Sequence, residues 1–229
     1  LGVTFATPSG PLEAVRGVSF ELNRGETLAI VGESGSGKSV TALSVLQLLP
    51  YPAAWHPSGS VRFEGRELVG APEKALQKIR GDRIAMIFQE PMTSLNPLHR
   101  VEKQIAETLM LHRGATADGA RARTLELLHL VGIKDPEGSL NSYPHELSGG
   151  QRQRVMIAMA TACRPDLVIA DEPTSALDSD ARDRFIELLS EEAARTGAAL
   201  LFVSHDASLA RLFDRAAAPA EINRAGASA

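Results

Sequence analysis

The sequence predicts an α/β fold with a largely parallel central sheet. Short apolar runs alternate with helical stretches along most of the chain, a pattern typical of this class. A glycine-rich loop joins a predicted strand to a predicted helix at residues 32–39. From about 98 to 159 the pattern is helical throughout, with Val101, Ile105 and Leu109 at helical spacing. We therefore expect a helical insert between strands of the core.

The predicted strands are short apolar or alternating runs bounded by turn-forming residues. They cover 15–22, 27–31, 60–64, 83–88, 167–170 and 199–204. Outside the insert, helices are predicted over 38–49, 72–80, 148–163 and 178–197. Prolines or glycines stand at their ends, and Ser148 is a candidate N-cap. The residues from 215 to 229 show no strand pattern, so we expect an irregular tail.

Composition excludes several classes of protein. The 229 residues are 44% hydrophobic and 23% charged, which is ordinary for a globular protein with its own core. Cys163 is the single cysteine, so an internal disulfide framework and a cysteine metal cluster are excluded. Apolar runs such as 198–203 are too short to cross a bilayer, and no secretory leader is recognised. A net charge of -4 argues against general nucleic-acid binding, and we expect a cytoplasmic protein.

The glycine-rich loop fits the phosphate-loop pattern G-x-x-x-x-G-K-S/T. It consists of Gly32, Glu33, Ser34, Gly35, Ser36, Gly37, Lys38 and Ser39. Glycines allow backbone N–H groups to point at phosphate oxygens, and the following helix contributes its positive end. Lys38 would reach the β- and γ-phosphates, and the Ser39 hydroxyl would bind Mg²⁺. The alternative is a glycine-rich turn before an ordinary helix.

Two acids end the apolar run at 167–170. Because ligands of α/β sheets bind at the carboxyl ends of strands, Asp171 and Glu172 are candidate site residues. Asp171 would hold Mg²⁺, and Glu172 would orient or deprotonate the attacking water. The alternative is a solvated turn before Pro173.

Two further polar residues follow predicted strands. His205 comes directly after the strand at 199–204, where it could contact the γ-phosphate and help to position water. Gln89 follows the strand at 83–88 and could sense Mg²⁺ or the attacking water. Taken alone, a histidine at a strand end more often has a structural role, and Gln89 alone is an ordinary loop glutamine.

The segment Leu147-Ser148-Gly149-Gly150-Gln151 places a serine and two glycines at a helix start. Such a segment can bind an anion through its backbone N–H groups. A second anion site beside the phosphate loop is unusual unless it serves the nucleotide of another molecule. The alternative is a plain N-cap. We expect the following Arg152 and Arg154 to lie on a solvated or interface face of the helix.

Together these motifs resemble the nucleotide-binding subunit of ABC transporters, and they stand in that family's order over about 15–211. The segment at 87–97 further resembles the peptide, nickel and opine importer group. The segments at 39–44, 84–89 and 143–150 are most similar to the Yej-type peptide (microcin C) importer ATPases. In those proteins two cassettes are fused in one chain, and this sequence would correspond to one of them, most like the first.

The resemblance implies an ABC cassette: a P-loop NTPase core with a mostly parallel sheet, N-terminal antiparallel strands and a helical insert. The core would comprise 1–97 and 164–214, and the helical subdomain about 98–163. The cofactors would be ATP and Mg²⁺. Two cassettes would enclose two ATP molecules head to tail, so that Ser148, Gly149, Gly150 and Gln151 contact the nucleotide of the partner. Asp178 would lie at that interface.

The resemblance also implies partners. The second cassette would be identical, a paralogue or fused, and the loop at 89–97 would pass the nucleotide state to transmembrane permease subunits. A solute-binding protein would be an indirect partner, and the chain would sit on the inner face of the membrane. Phe5 is the candidate to stack on adenine, although it is equally compatible with strand core.

Two alternatives stay open. The region 208–224 looks more like cassettes of lipoprotein-release or macrolide-export complexes, which predicts an exporter. A soluble ABC protein acting on DNA or ribosomes is the other, although such proteins usually insert long coiled coils and no long heptad run occurs here. A GTPase is excluded because no Asn-Lys-x-Asp segment is present. The hypothesis of a small-molecule kinase does not explain the segment at 147–151.

Overall fold

The computed structural model describes residues 1–88, 95–175 and 177–218. Its strands are β1 (Gly2–Thr7), β2 (Gly10–Arg16), β3 (Thr27–Val31), β4 (Ala54–Trp55), β5 (Arg62–Phe63), β6 (Arg66–Glu67), β7 (Ile84–Ile87), β8 (Leu167–Asp171), β9 (Ala199–Ser204) and β10 (Arg215–Ala217). Its α-helices are α1 (Lys38–Val45), α2 (Glu73–Gln77), α3 (Val101–Arg113), α4 (Ala117–Leu130), α5 (Pro136–Asn141), α6 (Gly149–Thr161) and α7 (Ser179–Thr196). Short 3₁₀ turns lie at Pro144–Glu146 and Ala207–Leu212.

The central sheet is parallel, with the strand order β10-β3-β9-β8-β7. Both of its faces are covered, which explains why its strands are apolar at nearly every position. In β9, Leu200 and Phe202 join the core cluster on one face, while Leu201 and Val203 join the cluster on the other. The carboxyl ends of β3, β8 and β9 therefore meet at one edge of the sheet.

A second sheet is antiparallel, with the order β2-β1-β4. Its core includes Val3, Val15 and Ala54, and Val40 of α1 packs against this cluster. The sheet consequently lies against the first turn of α1. The expected N-terminal antiparallel strands are confirmed.

The helices α3 to α6 lie between β7 and β8 in the chain, as the helical pattern predicted. They pack on one another and share a core cluster with one face of the parallel sheet. Ile105, Leu128 and Ile157 are fully buried in this cluster. No helix among the described residues is both long and apolar enough to cross a membrane.

Several element boundaries differ from the prediction. The first predicted strand, 15–22, overlaps β2 (Gly10–Arg16) only at Val15 and Arg16, and β1 was not predicted; the two strands are defined by their antiparallel pairing with each other. The first helix ends at Val45 rather than 49, and α2 covers Glu73–Gln77 rather than 72–80. The expectation of an irregular tail from 215 is wrong for its first three residues. Arg215–Ala217 form β10, which pairs in parallel with β3.

Candidate nucleotide-binding site

The phosphate loop connects β3 to α1, as the sequence predicted. Its backbone turns through two glycines, Gly35 with φ 80° and Gly37 with φ 87°. A Cβ added at Gly37 would lie 2.5 Å from the carbonyl oxygen of Ala14 in β2, so only glycine fits there. Gly37 is also the N-cap of α1, and no side-chain hydrogen bond caps this helix. The loop thus presents a helix N-terminus of the kind that binds phosphate.

Lys38 is buried, with 4% of its surface exposed, and its ammonium group is held by the loop itself. Its Nζ donates to the carbonyl oxygens of Gly32 at 2.8 Å and Glu33 at 2.7 Å. A longer contact of 3.4 Å reaches Ser36 Oγ, and Glu172 Oε1 lies 4.0 Å away. The cation is therefore paired and fixed at the mouth of the loop rather than free in solvent.

Ser39 and Asp171 come together although they are 132 residues apart. Ser39 Oγ donates to Asp171 Oδ1 at 2.8 Å. Burial raises the pKa of Asp171, the charge of Glu172 adds to this, and the Ser39 hydrogen bond and the Lys38 charge oppose it. A hydroxyl and a carboxylate oxygen side by side are ligands that a hard divalent cation accepts. Among the described residues, no group of three or more His, Cys, Asp or Glu side chains could hold a metal ion.

Glu172 and His205 form the second pair. Glu172 Oε2 lies 3.1 Å from His205 Nδ1. The Glu172 backbone has φ 45°, in the left-handed region, and its N–H donates to the Val203 carbonyl oxygen at 2.9 Å. Side-chain exposure is 13% for Glu172 and 53% for His205. Strands β8 and β9 therefore deliver a carboxylate and an imidazole in contact at the edge where the phosphate loop begins.

The backbone joins these segments directly. Gly32 N–H donates to the Ser204 carbonyl oxygen at 3.2 Å, which ties the start of the phosphate loop to the end of β9. The loop, Asp171–Glu172 and His205 are thus held by three adjacent strands, β3, β8 and β9.

The segment 147–151 forms a capping box at the start of α6. Gln151 N–H donates to Ser148 Oγ at 3.2 Å, and Ser148 N–H donates to Gln151 Oε1 at 2.9 Å. Ser148, Gly149 and Gly150 are exposed. Arg152 and Arg154, which we expected on a solvated or interface face of the helix, are not fully solvated. Both are half-buried: Arg152 donates to the carbonyl oxygen of Leu147 at 2.8 Å, and Arg154 to that of Val131.

The remaining predicted residues lie elsewhere or outside the described residues. Asp178 is exposed and is the N-cap of α7, where its side chain accepts from Ala181 N–H at 2.8 Å. Phe5 is half-buried in β1 and packs against the core of the antiparallel sheet. Gln89 lies outside the described residues.

The structure adds one feature that the sequence analysis missed, an ion pair between Arg182 and Asp206. Asp206 is the neighbour of His205, and Arg182 lies in the first turn of α7. The sequence holds no signal for it, because a single arginine on a predicted helix resembles many solvated ones.

Comparisons with known proteins agree with this geometry. Residues 15–175 match the family model described as ABC transporter. The peptidoglycan transport ATP-binding protein YejF of Agrobacterium fabrum is 58% identical over 93% of this chain and 39% of its own length. The oligopeptide transport ATP-binding protein OppD of Bacillus subtilis is 49% identical over 95% of this chain and 61% of its own length. The chain therefore spans only part of the length of these curated relatives.

A solved structure supports the same assignment. The dimeric structure of MJ0796, described as a bacterial ABC transporter cassette, matches with a TM-score of 0.82 at 31% identity. The match covers 95% of this chain and 91% of that chain. A second structure of MJ0796, described as a post-hydrolysis state bound to ADP and Pi, matches equally well.

Proposed function

The chain belongs to the ABC transporter family, and from this we propose that it is the ATP-binding and ATP-hydrolysing subunit of an importer for peptides or similar small solutes. The resemblance and the fold class expected from the sequence are confirmed by these comparisons. The observation that carries the proposal is the meeting of the phosphate loop, Asp171 and Glu172–His205 at one sheet edge.

Each group at this edge has a proposed task. The loop glycines and Lys38 bind the phosphates of ATP, and Ser39 and Asp171 hold Mg²⁺, with Gln89 as a further proposed ligand. Bound Mg²⁺ would neutralise charge on the β- and γ-phosphates. Glu172 accepts the proton of the attacking water, and His205 fixes the Glu172 carboxylate by the 3.1 Å contact. The proposed role of Phe5 is to stack on adenine.

We propose that the functional unit contains two cassettes. The exposed N-terminus of α6 at Ser148–Gly150 supports this, because it is an anion-binding end. The dimeric structure of the related cassette is consistent with it. Ser148, Gly149, Gly150 and Gln151 would bind the γ-phosphate held by the partner, and Asp178 would lie at the interface. We further propose a core formed by 1–97 and 164–214 and a helical subdomain at about 98–163.

The transport role rests on the relatives rather than on the site. Their printed names describe transport of peptidoglycan, oligopeptides and dipeptides, which share the peptide bond. We therefore propose peptides or peptide-containing solutes as the cargo. Permease subunits would hold the chain on the inner face of the membrane, and a solute-binding protein would deliver the cargo. No nucleic-acid partner is proposed. The exporter alternative rests on the sequence of 208–224, and the peptide-transport names of the relatives favour the importer over it.

Two experiments test the proposal. Phosphate release from ATP by the purified chain tests the enzyme activity, with Glu172→Gln as the inactive control. Affinity capture from detergent-solubilised membranes, followed by mass spectrometry, tests the partners. A permease pair with a peptide-binding protein is the expected result. An exporter permease, or soluble partners alone, would contradict the importer role.

A further inference from the structure

Arg182 and Asp206 form an ion pair next to the proposed catalytic pair. Arg182 Nη1 lies 2.6 Å from Asp206 Oδ2, and the two side chains are 22% and 31% exposed. Asp206 directly follows His205, which contacts Glu172. The pair thus joins α7 to the segment that carries the imidazole.

Asp206 is held in place by a small network. Its Oδ1 accepts from Ser208 N–H at 2.9 Å, and its own N–H donates to Ser204 Oγ at 3.0 Å. The hydrogen bonds from Ser208 lower the pKa of Asp206, and the nearby charges of Arg182 and His205 lower it further. The carboxylate is therefore ionised at neutral pH. Oδ1 of Asp206 caps the 3₁₀ turn at Ala207–Leu212, and Oδ2 accepts a hydrogen bond from Arg182.

Arg182 lies in the first turn of α7. Its backbone N–H donates to the Asp178 carbonyl oxygen at 2.9 Å, and Asp178 is the N-cap of the same helix. Its Nε also reaches Asp183 Oδ1 at 3.1 Å. Asp183 is half-exposed and lies on the same helix, so its contact with Arg182 does not reach the segment that carries His205.

We propose that Arg182 is a positioning residue for ATP hydrolysis, which acts through Asp206 to hold His205 in contact with Glu172. Since the imidazole stands on the segment that Arg182 restrains, losing the restraint lets the His205–Glu172 contact widen. The orientation of a reacting group controls the chemical step far more than it controls substrate affinity. Loss of the Arg182–Asp206 ion pair should therefore lower turnover and leave the affinity for ATP unchanged. This inference rests on the proposed ATPase activity.

The test compares five variants of the chain. Arg182→Met and Asp206→Asn each remove one charge, and their combination tests whether the two act as a pair. Asp206→Asn keeps an oxygen that can cap Ser208 N–H. Arg182→Lys restores the charge. Asp183→Asn is the matched control, because it removes the other carboxylate on Arg182.

We expect kcat to fall about fivefold or more in Arg182→Met and in Asp206→Asn, with the KM for ATP unchanged. The double variant should be no slower than the slower single variant, Arg182→Lys should recover part of the rate, and Asp183→Asn should match the unchanged chain. A fluorescent ATP analogue should bind all five equally. Unaltered kcat in Arg182→Met, additive losses in the double variant, or a raised KM would overturn the inference.

A second readout does not depend on hydrolysis. The ring signals of His205, assigned by a His205→Gln variant, can be followed by ¹H–¹³C NMR in protein without added nucleotide. Arg182→Met and Asp206→Asn should both shift them, and Asp183→Asn should not. Shifts in a chain that lacks ATPase activity would show that only the proposed function fails. Unmoved signals in an active chain would refute the positioning role alone.

Discussion

Glu172→Gln should separate the proposed chemical step from nucleotide binding. The substitution keeps the length of the side chain, and the amide oxygen can occupy the place of Glu172 Oε2, 3.1 Å from His205 Nδ1. The backbone stays in the left-handed region at φ 45°, where glutamine is no more strained than glutamate. What is lost is the negative charge and the ability to accept a proton.

The magnitude follows from the site. A positioned general base contributes about 10²- to 10⁴-fold, or about 2.7 to 5.4 kcal/mol of barrier. We therefore expect kcat to fall at least about 100-fold. The affinity for ATP, in contrast, should not fall. Glu172 Oε1 lies 4.0 Å from Lys38 Nζ, so its charge competes with phosphate for this cation. Removing that charge should leave the Kd for ATP unchanged or lower.

The assay measures phosphate release and ATP binding on the same preparations. His205→Gln is the companion variant, because it removes the contact and leaves the carboxylate. A Glu172→Gln protein that turns over ATP within about twofold of the unchanged chain would show that Glu172 is not the base. A large loss of ATP affinity would show instead that the residue holds the nucleotide.

Other substitutions test the loop, an ion network and the core. Gly37→Ala should abolish ATP binding in calorimetry, since its Cβ would lie 2.5 Å from a backbone carbonyl oxygen. Gly35→Ala should bind more weakly but detectably, because a Cβ there meets no atom within 4 Å and only φ is strained. Asp166 has a lowered pKa because hydrogen bonds from two arginines outweigh the burial that would raise it. Its stabilising effect is complete above the unfolded pKa of about 3.9 and is lost as the pH falls through the lower folded value. In urea titrations from pH 7 to pH 2, Asp166→Asn should lower the free energy of unfolding at pH 7 and flatten its fall below about pH 4; equal curves would contradict this. Leu128→Ala should cost about 2 to 5 kcal/mol of unfolding free energy, whereas Leu111→Ala, 75% exposed, should cost under about 0.5 kcal/mol.

The strands of the parallel sheet could be predicted because burial on both faces leaves a local signal. Residues 27–31 and 199–204 are apolar at nearly every position, and the structure has β3 and β9 at these residues. The length of each apolar run and the turn residues beside it were enough to predict these strands. The phosphate loop is equally local, since its glycines, lysine and serine are consecutive or nearly so.

One strand that the sequence did not predict, β10, owes its conformation to a distant partner. β10 consists of Arg215, Ala216 and Ala217, which carry no strand pattern. They are extended because they pair with β3, and because the preceding Asp214 accepts from Thr27 N–H and Oγ1, both at 2.9 Å. The segments are nearly 190 residues apart in the chain. Pairing of this kind overrides local propensity and leaves no local signal.

In the site, too, local motifs could be predicted from the sequence, whereas contacts between distant residues could not. Sequence motifs identified Ser39, Asp171, Glu172 and His205, and the rule that ligands bind at strand ends placed them on one edge. Which atoms meet could not be predicted, because the Ser39–Asp171 contact joins residues 132 positions apart. The hydrogen bond of Arg152 was not predicted for a related reason. Arg152 belongs to a polar stretch of helix, and only tertiary packing directs its guanidinium to the Leu147 carbonyl oxygen.

The burial of Lys38 affects the free energy with which the phosphate loop would bind phosphate. Its ammonium group is already desolvated, because its side chain is 3% exposed and two backbone carbonyl oxygens of the loop hold it. A phosphate that reaches it replaces neutral acceptors by charged oxygens, which form stronger hydrogen bonds. The hydration of the cation was given up during folding, so binding does not incur that cost again. We therefore expect the buried position of Lys38 to favour phosphate affinity, and the glycines that close the loop around it make that position possible.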